Sequence, residues 1–252
     1  MPTPPGSLFF IVYAPALRGD DRRMLAIVQG MERAFPGLRL EWEVSKEGRP
    51  IALPHRNKWL AEAAARGQFP LVCNGDESYP VTIAGLETLA RLVPGGQPQL
   101  EVHGDMPLDE KGFKAAAAVL EAVAEESRAL WGHATPPRAG AEIALQTSRP
   151  PQGPHIPPRG LPVLKMPWDI RSPEIPQRLG WLNYWSAAAA QSIGFPDPSR
   201  DADLLSRARR TVTGGWIVRL TEEPLDLDNP EHLDVLLRTY ERFPEIGGRA
   251  TF

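Results

Sequence analysis

The sequence predicts a mixed α/β fold of the α+β class, in which helices cover a sheet. Apolar runs of strand length alternate with segments of helical periodicity along most of the chain. The 252 residues are 42% hydrophobic and 23% charged, which is typical of a globular protein that buries its own core. Seven prolines lie between residues 135 and 160. The sequence thus predicts two α/β halves, residues 1–134 and 161–252, joined by a proline-rich connector, residues 135–160.

The connector is predicted to be extended. Proline fixes φ and has no backbone N–H, so the densest parts of this segment do not suit a helix or a central strand. Connectors of this length are uncommon inside compact domains. Two interpretations stay open, a crossover on the surface of one continuous domain and a linker between two domains.

Elements of the first half follow from hydrophobic patterning. Residues 8–13 are continuously apolar, as expected for a strand that is covered on both faces. Asp20 and Asp21 are candidate caps for the helix that follows. The remaining patterns predict helices at residues 24–35, 57–65 and 109–131, and strands at residues 38–44, 69–73, 81–84 and 100–103.

The second half is predicted to repeat this alternation more loosely. Strands are expected at residues 161–165 and 216–220, and helices at residues 176–194 and 199–210 and from Asn229-Pro230 onward. Trp181, Tyr184 and Trp185 are spaced to share one face of the first of these helices. Core packing is the favoured role for these three residues, and a partner-binding ridge is the alternative.

Composition and motifs exclude several classes of function. A net charge of −3 and a pI near 6.0 exclude a broadly basic nucleic-acid binder. The longest apolar run, residues 8–17, is about half as long as a helix that spans a membrane. The single cysteine, Cys73, excludes an intramolecular disulfide and favours a reducing, cytoplasmic location. Phosphate-binding glycine loops and metal-ligand spacings are absent, so no cofactor, metal or catalytic residue is expected.

An alternative function uses residues at strand ends. Cys73 ends a strand, Asp76 lies in the turn after it, and His103 and Asp105 lie at the end of another strand. A small-molecule enzyme or sensor would bring these four residues to one pocket, with strongly shifted pKa values. Otherwise Cys73 is a small buried hydrophobic residue and the others belong to turns. A scaffolding subunit, marked by a large flat apolar patch, is a third possibility.

The strongest surface feature is acidic. Residues 222–234 contain six acids and no lysine or arginine. Capping and the helix dipole account for up to three of these acids, but not for Glu222, Glu223 and Asp226. The run is either a solvated loop, with Arg207, Arg209 and Arg210 as candidate internal counter-charges, or a patch that steers a basic partner. The predicted partner-binding residues are Glu222, Glu223, Asp226 and Asp228.

Segments of the second half resemble a family of uncharacterised bacterial proteins. These segments are LGWLNYWS (179–186), GFPD (194–197), GWIVRLT (215–221) and DLDNPEHL (226–233). They also look like immunity proteins of polymorphic toxin systems, in particular the immunity protein 52 family, over about residues 161–249. The resemblance implies a cytoplasmic protein that binds and neutralises a toxin encoded by a neighbouring gene. It implies packing roles for Trp181, Trp185 and Trp216, and no catalytic residues.

Overall fold

The computed structural model describes residues 6–18, 21–147 and 156–249. The strands are β1 (Ser7–Pro15), β2 (Trp42–Val44), β3 (Pro50–Ala52), β4 (Phe69–Cys73), β5 (Thr82–Thr88), β6 (Gln99–Pro107), β7 (Trp131–Thr135), β8 (Leu182–Trp185), β9 (Ala208–Arg210) and β10 (Trp216–Arg219). The helices are α1 (Arg23–Ala34), α2 (Arg56–Ala65), α3 (Glu110–Ser127), α4 (Pro137–Ala144), α5 (Ala187–Ser192), α6 (Ala202–Ser206) and α7 (Pro230–Arg242). The predicted α+β fold class is confirmed.

The strands of the described residues form one antiparallel sheet, in the order β3-β2-β4-β5-β6-β1-β7-β8-β10-β9. β7 precedes the connector and β8 follows it. These two strands are hydrogen-bonded neighbours, with Trp131 opposite Trp185. Strands from both sides of the connector therefore share one sheet.

One face of the sheet, here called the helical face, packs against α1, α2 and α3. α3 contacts β1, β7 and β8, and α1 packs on α3. Tyr184 of β8 points to this face, because its hydroxyl donates to Oε1 of Glu125 on α3 at 3.0 Å. Strand alternation then directs the neighbouring Trp185 to the opposite face, here called the second face. There its ring contacts Phe195 and Phe243 edge-on.

Of the two helices predicted to begin at a side-chain N-cap, α7 has one and α1 does not. Asn229 accepts a hydrogen bond from the backbone N–H of Glu231 at 3.0 Å, directly ahead of α7, as the Asn-Pro signal predicts. The N-cap of α1 is Arg22, which makes no side-chain cap hydrogen bond, and Asp21, one residue earlier, accepts a hydrogen bond from the backbone N–H of Arg23 at 3.0 Å. Asp20 lies outside the described residues.

The helix predicted at residues 176–194 is wrong. β8 occupies residues 182–185, and Ser186 then caps the short helix α5 by accepting from the N–H of Ala189 at 3.1 Å. Tyr184 and Trp185 therefore lie on opposite faces of a sheet and not on one helix face. The pattern misleads because a strand covered on both faces has apolar side chains at every position, as a buried helix does.

Other boundaries also differ from the prediction. In place of the helix predicted at residues 199–210, the structure has the short helix α6 followed by the strand β9. The segment predicted as a strand at residues 161–165 is irregular. Of the strand predicted at residues 38–44, only the last residues form β2. α3 ends at Ser127, because Arg128 adopts a left-handed conformation with φ 55° and the chain then enters β7. The connector contains α4, whose first residue is Pro137. Proline suits a first helical turn, so a proline-rich segment can still begin a helix.

Candidate functional site

The predicted acidic surface lies on a loop, residues 222–228, here called the acidic loop. Leu225 and Leu227 are buried, at 2% and 3% relative exposure. The acids beside them, Glu223 and Asp226, are exposed. Burial of alternate leucines fixes the backbone and directs the acidic side chains outward, so the loop is part of the packed structure.

Asp228 at the end of the acidic loop is engaged internally. Its carboxylate forms ion pairs with Arg138, and with Arg159 at 2.6 Å. Arg159 also binds Glu142 and donates to the carbonyl oxygen of Leu227 at 2.9 Å. The hydrogen bond from Arg159, together with the charge of Arg138, holds the pKa of Asp228 below its ordinary value. These contacts tie the acidic loop to α4 and to the connector.

The arginines that form ion pairs with Asp228 are not the ones that the sequence suggested as internal counter-charges. Arg207 forms an ion pair with Asp203, and Arg209 with Glu121. The connector contains several arginines, including Arg138, and few acids, and this imbalance was a sequence signal for the observed partners. Which acids those arginines meet depends on tertiary contacts.

The other acids of the loop are less restrained. Glu222 lies 3.6 Å from Arg219 and is mostly exposed. The backbone N–H of Asp226 donates to Nδ1 of His232 at 3.2 Å, which fixes the main chain there. For the carboxylate of Glu223 the described part of the chain provides neither an ion pair nor a hydrogen bond. The carboxylate of Asp226 accepts a hydrogen bond from the backbone N–H of Asp228 at 3.0 Å, and Glu222, Glu223 and Asp226 are all exposed on this fixed backbone.

One of the four predicted structural aromatics contacts the residue directly before this loop. Trp181, Tyr184 and Trp185 are buried, and Trp216 is partly buried. Nε1 of Trp181 donates to the carbonyl oxygen of Thr221 at 2.9 Å, directly before the acidic loop. The buried indole thereby fixes the point where the loop leaves the sheet.

The alternative site is only partly assembled. Cys73 and Asp76 line one cavity of about 450 Å³, together with Thr82. His103 and Asp105 are not among its lining residues, although Asp105 lies opposite Thr82 in the sheet.

The pKa values of the two acids of the alternative site are shifted in opposite directions. Asp76 accepts hydrogen bonds from the hydroxyl and the backbone N–H of Ser78, and these lower its pKa. Partial burial raises the pKa of Asp105, which the charge of His103 opposes. Within the described ranges, no group of three or more His, Cys, Asp or Glu side chains is arranged to hold a metal ion.

None of the helices in the described segments is both long and apolar enough to cross a bilayer. Fold and surface together define an α+β protein with a single extended antiparallel sheet and an ordered acidic loop.

A family model described as a domain of unknown function, DUF5953, matches residues 19–251, and the chain belongs to this family. No curated protein matches the chain significantly. Among solved structures, the fold is similar to that of the Pseudomonas aeruginosa T6SS protein PA0821, with a TM-score of 0.55 and 15% sequence identity. The similarity covers 94% of this chain and 74% of that chain.

Proposed function

We propose that this protein is a non-enzymatic binding protein, and specifically an immunity protein that binds and neutralises a cognate bacterial toxin in the cytoplasm. The observation that carries the proposal is the acidic loop, which presents three carboxylates from a backbone held on buried leucines. The resemblance of residues 161–249 to toxin-immunity proteins supports it. The structural neighbour described as a T6SS protein is compatible with a toxin-system setting.

A fixed acidic loop suits recognition of a basic partner for two reasons. Its exposed charges steer association, so encounter is faster than with a neutral surface. Its conformation is already set by Leu225, Leu227 and the ion pairs of Asp228, so little conformational entropy is lost on binding. In this proposal Glu222, Glu223 and Asp226 contact the toxin, and Asp228 both holds the loop and lies at the edge of the contact.

The test is the association kinetics between this protein and the product of the neighbouring gene. A triple variant, Glu222→Lys, Glu223→Lys and Asp226→Lys, reverses the charge of the loop. The matched control, Glu47→Lys, Glu77→Lys and Glu87→Lys, makes the same net change at exposed acids of the other half. Both variants are measured by surface plasmon resonance over a range of salt concentrations.

The loop variant should associate at least about tenfold more slowly at low salt, with a weaker salt dependence, and the control variant should behave as the wild type. If both variants associate like the wild type, the acidic loop is not the contact surface. If the wild-type protein itself does not bind the neighbouring product, the immunity function is contradicted.

A further inference from the structure

The cavity of about 450 Å³ lies at one end of the sheet, where residues of β2, β3, β4 and β5 line it. Small-molecule sites in proteins have volumes of about 300 to 1,000 Å³, so this cavity has room for a small ligand. The acidic loop follows β10, which lies near the opposite end of the sheet. The cavity is therefore separate from the surface proposed to bind the toxin.

The part of the cavity that the strands form is mostly apolar. The sheet register places Cys73 opposite Thr82 and Val44 opposite Pro50, and all four residues line the cavity. Pro80, directly before β5, adds a further apolar side chain. Apart from the hydroxyl of Thr82, these side chains offer a ligand van der Waals contact and no strong hydrogen bond. They suit the apolar body of a small molecule.

Two acids line the cavity from the turn after β4, Asp76 and Glu77. Oδ1 of Asp76 accepts hydrogen bonds from the backbone N–H of Ser78 at 2.9 Å and from its hydroxyl at 2.6 Å. Within the described residues, Oδ2 of Asp76 has no hydrogen bond and Glu77 has no ion pair. The side chain of Asn74 also fixes this turn, by donating to the carbonyl oxygen of Tyr79 at 2.8 Å. The two carboxylates are thus available to a ligand from an ordered turn.

The charges that line the cavity have one sign. Among the described residues that line it, none is a lysine, an arginine or a histidine. Lys46 and Arg49 belong to the neighbouring turn between β2 and β3, but both are exposed and neither lines the cavity. Hydrogen bonds from Ser78 lower the pKa of Asp76, so this carboxyl is ionised at pH 7. The cavity therefore complements a positively charged ligand.

We propose that this cavity binds a small organic ammonium ion, independently of toxin neutralisation. The ammonium group pairs with the carboxylates of Asp76 and Glu77, and the apolar body of the ligand contacts Val44 and Pro50. A primary ammonium group has three N–H donors and no acceptor, which suits two carboxylates and the hydroxyl of Thr82. An uncharged compound of the same shape lacks the attraction to the two acids, so the cavity selects the cation.

The test is a proton–nitrogen NMR titration of the full chain with benzylammonium, and with benzyl alcohol as its uncharged analogue. The observed signals are the assigned backbone N–H groups of Gly75 and Thr82, two residues that line the cavity. Benzylammonium should shift both signals in a saturable way. It should bind at least about tenfold more tightly than benzyl alcohol, because only the cation forms charge-assisted hydrogen bonds with the acids.

Variants without the two charges locate the site. The double variant Asp76→Asn, Glu77→Gln is uncharged, and asparagine keeps an oxygen that can accept from Ser78, so the turn is preserved. This variant should bind benzylammonium no more tightly than benzyl alcohol. The matched control, Glu87→Gln and Glu241→Gln, removes two exposed acids that do not line the cavity, and it should keep the preference of the wild type.

Three results would overturn the proposal. They are no saturable shift of the Gly75 and Thr82 signals up to about 20 mM benzylammonium, an affinity for benzyl alcohol equal to or higher than that for benzylammonium, and a double variant that keeps the preference for the cation. The first would mean that the cavity holds only water, and the other two that the acids do not select the ligand. If the double variant fails to fold, the comparison of the two probes on the wild type still decides.

Discussion

Replacement of His133 with phenylalanine should reduce the acid sensitivity of the protein. His133 is 3% exposed, and burial lowers its pKa to about 3 from an unfolded value near 6.5. Below pH 6.5 the unfolded chain binds a proton at this residue and the folded protein does not. Acidification therefore favours unfolding, and the stability associated with neutral His133 is lost as the pH falls from about 6.5 toward 3.

The size of the effect follows from the two pKa values. Between pH 7 and pH 4.5 the wild type should lose about 2.5 kcal/mol through this one residue. Phenylalanine does not titrate, and it preserves the edge contact that Phe9 makes with the ring at 5.9 Å. The stability difference between the two pH values should therefore be smaller by about 2.5 kcal/mol in the variant.

Urea denaturation at both pH values, followed by circular dichroism, measures this difference. His55→Phe is the control, because His55 is exposed in the folded protein as it is in the unfolded chain. If His133→Phe loses as much stability on acidification as the wild type, the folded protein protonates His133, and the buried neutral imidazole assigned here is wrong.

Three further variants test the packing of the fold by urea denaturation. Asn229→Ala removes the cap of α7 and should cost about 1 kcal/mol; no loss would mean that the cap is not formed in solution. Gly112→Ala should destabilise the protein, although alanine usually stabilises a helix by about 1 kcal/mol, because its methyl group would overlap the backbone oxygen of Pro107; a gain in stability would contradict that close approach. Asp201→Ala should cost about 3–5 kcal/mol by leaving Arg242 without its buried partner at 2.6 Å, and a change below about 1 kcal/mol would show that the pair is hydrated.

Local patterns predicted those elements whose formation depends mainly on nearby residues. The apolar run of β1 and the Asn229-Pro230 start of α7 are examples, since a buried strand and a capped helix each have a distinctive pattern. The pattern of residues 181–185 predicts a helix, because burial of β8 on both faces removes the alternation that marks a strand.

The sites depend on contacts between distant residues, so the sequence indicated them only in part. The acidic loop was visible as a run of charge, but its pairing with Arg138 and Arg159 joins residues that are far apart in the chain.

Co-expression tests toxin neutralisation by this protein most directly. The neighbouring gene is induced in a bacterial host alone and together with this protein, and growth and co-purification are scored. The account predicts that the neighbour alone stops growth, that co-expression restores it, and that the two proteins elute as one complex. A harmless neighbour, or a toxic one that this protein neither binds nor neutralises, would contradict the account.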